Sequence, residues 1–115
     1  MTARIYHNPR CSKSRAALQL LRDRGIEPEV VEYLKTPPDA AALKSILTAL
    51  GVPPRALLRT GEDAYREAGL ADSALDDEAI IRAMVAHPVL IERPIVVNGA
   101  RAAIGRPPER ILDIL

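Results

Sequence analysis

The sequence contains no tryptophan and no phenylalanine, and three tyrosines are its only aromatic residues. Its core must therefore be built from leucine, isoleucine, valine and alanine, which agrees with a hydrophobic fraction of 48%. A chain of 115 residues is one domain by length, and it can bury a core without disulfide or metal staples.

The chain also lacks an excess of either charge, since 16 basic residues face 15 acidic ones and the net charge is +1. This balance gives no general attraction to nucleic acid or to anionic lipid, so we expect neither as a partner. No apolar run approaches the roughly 18 residues that a membrane span needs. The residues from Met1 to Ile5 do not start a long apolar segment, and we expect no signal peptide.

Cysteine is nearly absent as well, because Cys11 is the only one. A single cysteine cannot close a disulfide within the chain, so a reducing cytoplasm is the expected compartment. Together with His7 and His87 it does not form a cluster with metal-ligand spacing, and we predict no metal site.

Three elements are predicted in the first third of the chain. Arg4–His7 is a short strand that stops at Asn8-Pro9, and Ser12–Arg24 has helical spacing of its apolar residues up to Gly25. The segment Glu29–Tyr33 is a second strand with β-branched residues at its centre. This β-α-β order favours a parallel strand pair.

A block of helices follows, and we predict it as an insertion over about 36–90 within a single domain of residues 1–115. Thr36 is the expected cap of its first helix, with Pro37 in the first helical position. Two short helices are predicted at Pro53–Leu58 and Glu62–Ala68. A longer helix is expected from an Asp76 cap to about His87.

The hydrophobic pattern changes again near the end of the chain. Ile95–Val97 and Arg101–Ile104 are predicted strands, joined by a two-residue turn at Asn98-Gly99. Pro107–Leu115 is predicted to be a terminal helix. The complete order is β-α-β, a block of helices, and then β-β-α.

Cys11 lies at the predicted strand-to-helix junction. A free cysteine is often only a small buried hydrophobe. At a helix start, however, unpaired backbone N–H groups and the helix dipole favour an anion, and the basic residues Arg10, Lys13 and Arg15 add positive charge. Ser14 lies one helical turn further on and can donate a hydroxyl hydrogen bond to a thiolate. These conditions are typical of a nucleophilic cysteine.

Three arginines form a second candidate group: Arg59, Arg93 and Arg106. Any one of them can be a solvated surface side chain. Arg93 directly precedes Pro94 at a strand start, and Arg106 lies at a strand-to-helix turn, so both can face the end of the sheet that carries Cys11. Guanidinium groups suit tetrahedral oxyanions, and a thiolate among arginines points to an oxyanion substrate with an electrophilic centre.

Four blocks of the sequence resemble the glutaredoxin-coupled ArsC-type arsenate reductases, and the resemblance runs over essentially the whole chain. The blocks are YHNPRCSKSR, PPRALLRTGEDAY, HPVLIERPIVV and IGRPPERILDIL. The resemblance implies an α/β thioredoxin-like fold with a helical insertion. In that fold Pro94 would be a cis-proline facing the active cysteine. "NPRCSKSR" is similar to a chromosomal branch of the family, and the chain ends soon after the last helix, without the tail of the plasmid-type enzymes.

The resemblance also implies roles for individual residues. Cys11 would attack arsenate, His7 would tune the thiol, and Arg59, Arg93 and Arg106 would bind the oxyanion. The implied reaction is reduction of arsenate to arsenite with electrons from glutathione and glutaredoxin, glutathione being a co-substrate and no cofactor being bound.

Two other functions are compatible with the same fold. A transcriptional regulator of the Spx type uses a C-x-x-C switch, but position 14 is serine here, which removes that disulfide. A general glutathione-dependent thiol oxidoreductase is the other, because C-x-x-S also occurs in monothiol glutaredoxins. The three arginines argue against it, since glutathione recognition needs no oxyanion clamp.

Overall fold

The computed structural model describes residues 3–115, and its strands form one four-stranded sheet in the order β2-β1-β3-β4. These strands are β1 (Ala3–Tyr6), β2 (Glu29–Val31), β3 (Ile95–Asn98) and β4 (Arg101–Ile104). β1 and β2 run parallel, as the β-α-β pattern predicted, whereas β3 is antiparallel to both β1 and β4. The N-terminal half of the sheet is therefore a crossover unit and the C-terminal half is a hairpin.

The residues that the structure describes also form four α-helices and three 3-10 helices. The α-helices are α1 (Ser12–Asp23), α2 (Ala40–Leu50), α3 (Asp63–Glu67) and α4 (Asp77–Ala86), and the 3-10 helices are Pro54–Leu57, Pro88–Leu90 and Pro108–Ile114. Among residues 3–115, none of the helices has the length and hydrophobicity of a membrane span.

The backbone falls into two compact units. The first contains the described residues up to Thr36 together with Arg93–Leu115, and the second is Pro37–Glu92. The sheet and α1 belong to the first unit, while α2, α3 and α4 belong to the second.

A cluster of aliphatic side chains lies in the core of the first unit, and the chain has no tryptophan or phenylalanine. Its buried members come from β1, α1, β3 and the terminal 3-10 helix: Ile5, Ala17, Leu21, Val96, Ile111 and Ile114. Helical spacing puts Ala17 and Leu21 on one face of α1, which packs against this cluster. The packing fixes α1, and therefore the residue at its N-terminus, relative to the end of β1.

The start of α2 differs from the prediction. The helix begins at Ala40 rather than after Thr36, and Asp39 is its cap, since the Asp39 carboxylate accepts the Ala42 N–H at 2.8 Å. Aspartate is preferred to threonine as an N-cap residue, which agrees with a helix start past the two prolines. The cap predicted at Asp76 is confirmed, because Asp76 accepts the Ala79 N–H at 2.9 Å.

Two further predictions about the C-terminal segment need correction. Asn98 pairs with Arg101 across the hairpin, so the two-residue loop is Gly99-Ala100 rather than Asn98-Gly99. Gly99 has a φ of 63°, and a glycine in the first central position is typical of the type II′ turn. The terminal helix is a 3-10 helix over Pro108–Ile114 and not an α-helix.

Candidate active site

Cys11 occupies the N-cap position of α1, with extended backbone angles of φ −92° and ψ 122°. Its own N–H donates to the Asn8 carbonyl at 3.0 Å, and its carbonyl accepts the Arg15 N–H at 3.0 Å. The side chain is partly exposed. The thiol therefore lies where the N–H groups of the first helical turn create a positive potential.

Arg106 lies beside the thiol, although the two residues are 95 positions apart in sequence. Its Nη2 is 4.0 Å from the Cys11 sulfur, and its Nε donates to the Arg93 carbonyl at 2.8 Å. The second bond orients the guanidinium group. The structure thus brings a fixed positive charge to the only cysteine of the chain.

Arg93 and Pro94 support this arrangement through their backbone. The Arg93 carbonyl orients Arg106, and the Pro94 carbonyl accepts the Gly105 N–H at 2.8 Å. A Cβ at Gly105 would lie 2.7 Å from the Pro94 ring, so only glycine fits this close approach. The peptide bonds before Pro94 and Pro107 are both cis. The Nε and Nη1 atoms of Arg93 are buried.

His7 and Ser14 form a buried polar pair next to the Cys11 loop. The Ser14 hydroxyl lies 2.7 Å from His7 Nδ1, and it also accepts the Asn8 N–H at 3.0 Å. The sequence predicted a bond from Ser14 to the thiolate, but the hydroxyl instead bonds to His7 and Asn8. A serine on α1 directs its side chain back toward the preceding turn, which here brings the hydroxyl to the end of β1.

Burial lowers the pKa of His7, and the neighbouring positive charges of Arg22 and Arg15 act in the same direction, while Glu32 opposes them. The folded protein therefore keeps this imidazole neutral at pH 7. The Nδ1 atom of the neutral ring makes a hydrogen bond with the Ser14 hydroxyl, and this bond holds both side chains in place.

This lowered pKa predicts a pH-dependent stability. As the pH is lowered from 7 through the ordinary histidine pKa of about 6.5 to about 5.5, the unfolded chain takes up more of a proton on His7 than the folded chain does. Stability should therefore fall as the pH is lowered through this window. We expect His7→Asn, which keeps a polar atom near the Nδ1 position, to show a flatter dependence in urea unfolding at the two pH values.

The matched control for this experiment is His87→Gln, because His87 is the other histidine of the chain and is exposed. Its substitution should leave the slope between the two pH values as in the wild type. Equal slopes in the wild type and His7→Asn would show that His7 does not carry the effect.

Arg59 belongs to the other unit, where two carboxylates contact it. Its Nη1 is 2.5 Å from Glu62 and its Nε is 3.7 Å from Glu92, and its own N–H donates to the Leu90 carbonyl at 2.8 Å. These contacts give Arg59 a structural role within residues 37–92. The role as an oxyanion ligand, which the resemblance implied, stays a prediction for Arg59, Arg93 and Arg106.

Sequence reasoning missed Asn8, which was interpreted only as a strand stop. In the structure its side-chain carbonyl accepts the Arg10 N–H at 3.0 Å. An asparagine side chain that bonds to the backbone two residues further on is a recognised turn signal. The pattern Asn-Pro-Arg before the cysteine could therefore have predicted this turn. Within residues 3–115, no three His, Cys, Asp or Glu side chains come close enough together to hold a metal ion.

A partly exposed thiol lies at a helix N-terminus on a thioredoxin-like sheet, with an arginine from a distant segment beside it. The profile of the ArsC family matches residues 6–114, and the chain belongs to that family.

The relatives agree in sequence and in structure. An arsenate reductase from Neisseria meningitidis is 53% identical over 113 residues, which are 97% of each chain. A protein of Escherichia coli K12, the uncharacterized protein YfgD, is 58% identical and is matched over 97% of this chain and 95% of its own length. The solved arsenate reductase from Vibrio cholerae superimposes with a TM-score of 0.97 at 51% identity, covering 100% of this chain and 98% of that one. The predicted thioredoxin-like fold is confirmed.

Proposed function

We propose that this protein is an arsenate reductase in which Cys11 is the nucleophile and glutathione with glutaredoxin supplies the electrons. The observation that carries the proposal is the placement of Cys11 at the N-terminus of α1, with Arg106 Nη2 4.0 Å from its sulfur. The membership of the ArsC family and the names of its relatives supply the substrate.

Each part of the site fits a step of this reaction. The thiolate attacks the arsenic of arsenate, and an arsenate oxygen leaves as water. The Arg106 guanidinium donates hydrogen bonds to a tetrahedral oxyanion more readily than an ammonium group does, because it is planar and always charged. The buried hydrogen bond of 2.7 Å between His7 and Ser14 stabilises the loop that carries Cys11.

The electrons must come from a second sulfur. Reduction of As(V) to As(III) takes two electrons, and these are released when two thiolates combine to a disulfide. This chain carries one cysteine, so glutathione provides the second thiolate, and Cys11 ends as a mixed disulfide with glutathione. Glutaredoxin then attacks that disulfide and returns Cys11 to the thiolate. A reducing cytoplasm would supply both donors.

The test is arsenate-dependent oxidation of NADPH by the purified protein with glutathione, glutaredoxin and glutathione reductase present. We expect multiple turnovers in the complete mixture. When glutathione is left out, we expect at most one molecule of NADPH to be oxidised per protein molecule. The mixed disulfide should appear as the mass of one glutathione added to the protein when glutaredoxin alone is omitted.

Two controls separate the possible failures. Omission of arsenate gives the background of general disulfide reduction. Replacement of arsenate with a small glutathione mixed disulfide tests for a general thiol oxidoreductase, provided that glutaredoxin, which reduces such disulfides itself, is left out. Turnover with the disulfide but not with arsenate would favour that second function. Repeated turnover with arsenate and no added thiol would contradict the electron donor proposed here.

A further inference from the structure

The loop between β1 and α1 closes on a single residue, Asn8, through three hydrogen bonds. Its backbone carbonyl accepts the Cys11 N–H, and its side-chain Oδ1 accepts the Arg10 N–H, each at 3.0 Å. Its own N–H donates to the Ser14 hydroxyl at 3.0 Å. One residue therefore connects the end of the strand, the loop and the first turn of the helix.

These bonds determine where the cysteine backbone lies. The N–H groups of two successive residues, Arg10 and Cys11, both turn toward Asn8, which fixes the peptide between them. A fixed Cys11 backbone at the N-cap leaves its sulfur few positions, and one of them is the position 4.0 Å from Arg106. Asn8 itself is only partly buried and needs no contact with the sulfur to have this effect.

We propose that Asn8 is a positioning residue for the Cys11 thiolate, and that its side chain must be a neutral hydrogen-bond acceptor. The acceptor closes the loop that presents the sulfur to the helix N-terminus and to Arg106. An aspartate at position 8 would accept the same hydrogen bond, but its negative charge would lie close to that of the Cys11 thiolate. The kinetic part of this inference rests on the proposed function, whereas the reactivity of the thiol does not.

The experiment compares Asn8→Ala and Asn8→Asp with the wild type by the rate of Cys11 alkylation with iodoacetamide across pH. In Asn8→Ala we expect a rate at pH 7 that is lower by about threefold to tenfold, the equivalent of one lost hydrogen bond. Asn8→Asp keeps the acceptor, so its fold should be preserved, but its alkylation curve should move to higher pH because like charges oppose the thiolate.

The matched control is Asn98→Ala. The Asn98 amide also makes a hydrogen bond to a backbone carbonyl of the same unit, that of Ile114 at 2.8 Å, but it lies at the hairpin end of β3. We expect this variant to lose stability to thermal unfolding and to keep the wild-type alkylation curve. A merely structural Asn8 would behave in the same way as Asn98.

An unchanged alkylation curve in folded Asn8→Ala would overturn the inference. If Asn8→Ala does not fold, an unchanged curve in Asn8→Asp overturns it. The kinetic readout is kcat/KM for arsenate, which should fall in parallel with the alkylation rate at pH 7. If the wild type reduces no arsenate while both variants still alter alkylation, the proposed function fails and the positioning role stands.

Discussion

Cys11→Ser is expected to abolish arsenate reduction and to leave the protein folded. The serine hydroxyl is far less ionised than a thiol, and it cannot form the disulfide that carries two electrons away from arsenic. No other cysteine of this chain can replace the missing sulfur. We expect no turnover above background in the complete coupled assay.

The structure also predicts that this variant is not less stable than the wild type. Cys11 is the N-cap of α1, and its side chain makes no capping hydrogen bond there. Serine is among the preferred N-cap residues, and a serine cap adds about 0.5–2 kcal/mol relative to a residue that does not cap. Thermal unfolding should therefore show an unchanged or higher midpoint.

This combination separates a chemical effect from a structural one. If the inactive variant also has a lowered unfolding midpoint, unfolding would be enough to explain the loss of activity. The helix-cap argument would then be wrong. Arsenate turnover by folded Cys11→Ser would mean that a different group attacks the substrate.

The sequence predicted the elements around the site better than the contacts within it. The crossover from β1 through α1 to β2 follows from apolar spacing and from Gly25, whose φ of 75° ends the helix. The start of α2 was predicted too early, because Thr36, directly before two prolines, was the expected cap. Only the structure shows that the Asp39 carboxylate makes the capping bond.

Within the site, too, positions along the chain were predicted better than the contacts between side chains. Helical spacing placed Ser14 one turn after Cys11, but it could not tell whether the hydroxyl would turn to the thiol or to His7. The contact between Cys11 and Arg106 joins segments 95 positions apart. Spacing along the chain carries no information about such a contact. The predicted position of Arg106 at a strand-to-helix turn only allowed it, and the resemblance to a family implied it.

The second prediction with a large expected effect concerns Arg106. Arg106→Ala removes the guanidinium group beside the sulfur, and with it the charge that favours the thiolate and the donors expected for the oxyanion. Charge-assisted hydrogen bonds contribute about 1.5–3 kcal/mol, so we expect a loss of roughly 10- to 100-fold in kcat/KM for arsenate. Alkylation of Cys11 at pH 7 should become slower in the same variant.

Arg106→Lys tests whether charge alone is sufficient. Lysine keeps the positive charge, but it lacks the planar group that donates through Nε to the Arg93 carbonyl while Nη2 approaches the sulfur. We expect this variant to recover the alkylation rate in large part and kcat/KM only in small part. Full recovery of both would reduce the role of Arg106 to its charge.

Arg101→Ala is the matched control, since Arg101 also donates from its guanidinium group to a backbone carbonyl of the same unit, that of Asp113 at 2.7 Å. It lies on β4 at the hairpin end and should leave both measurements at wild-type values. If Arg106→Ala also keeps wild-type alkylation and arsenate kinetics, the guanidinium group 4.0 Å from the sulfur does not take part in the reaction. The assignment of arsenate would then lose its main structural support, because the approach of Arg106 to the Cys11 sulfur is the contact on which it rests.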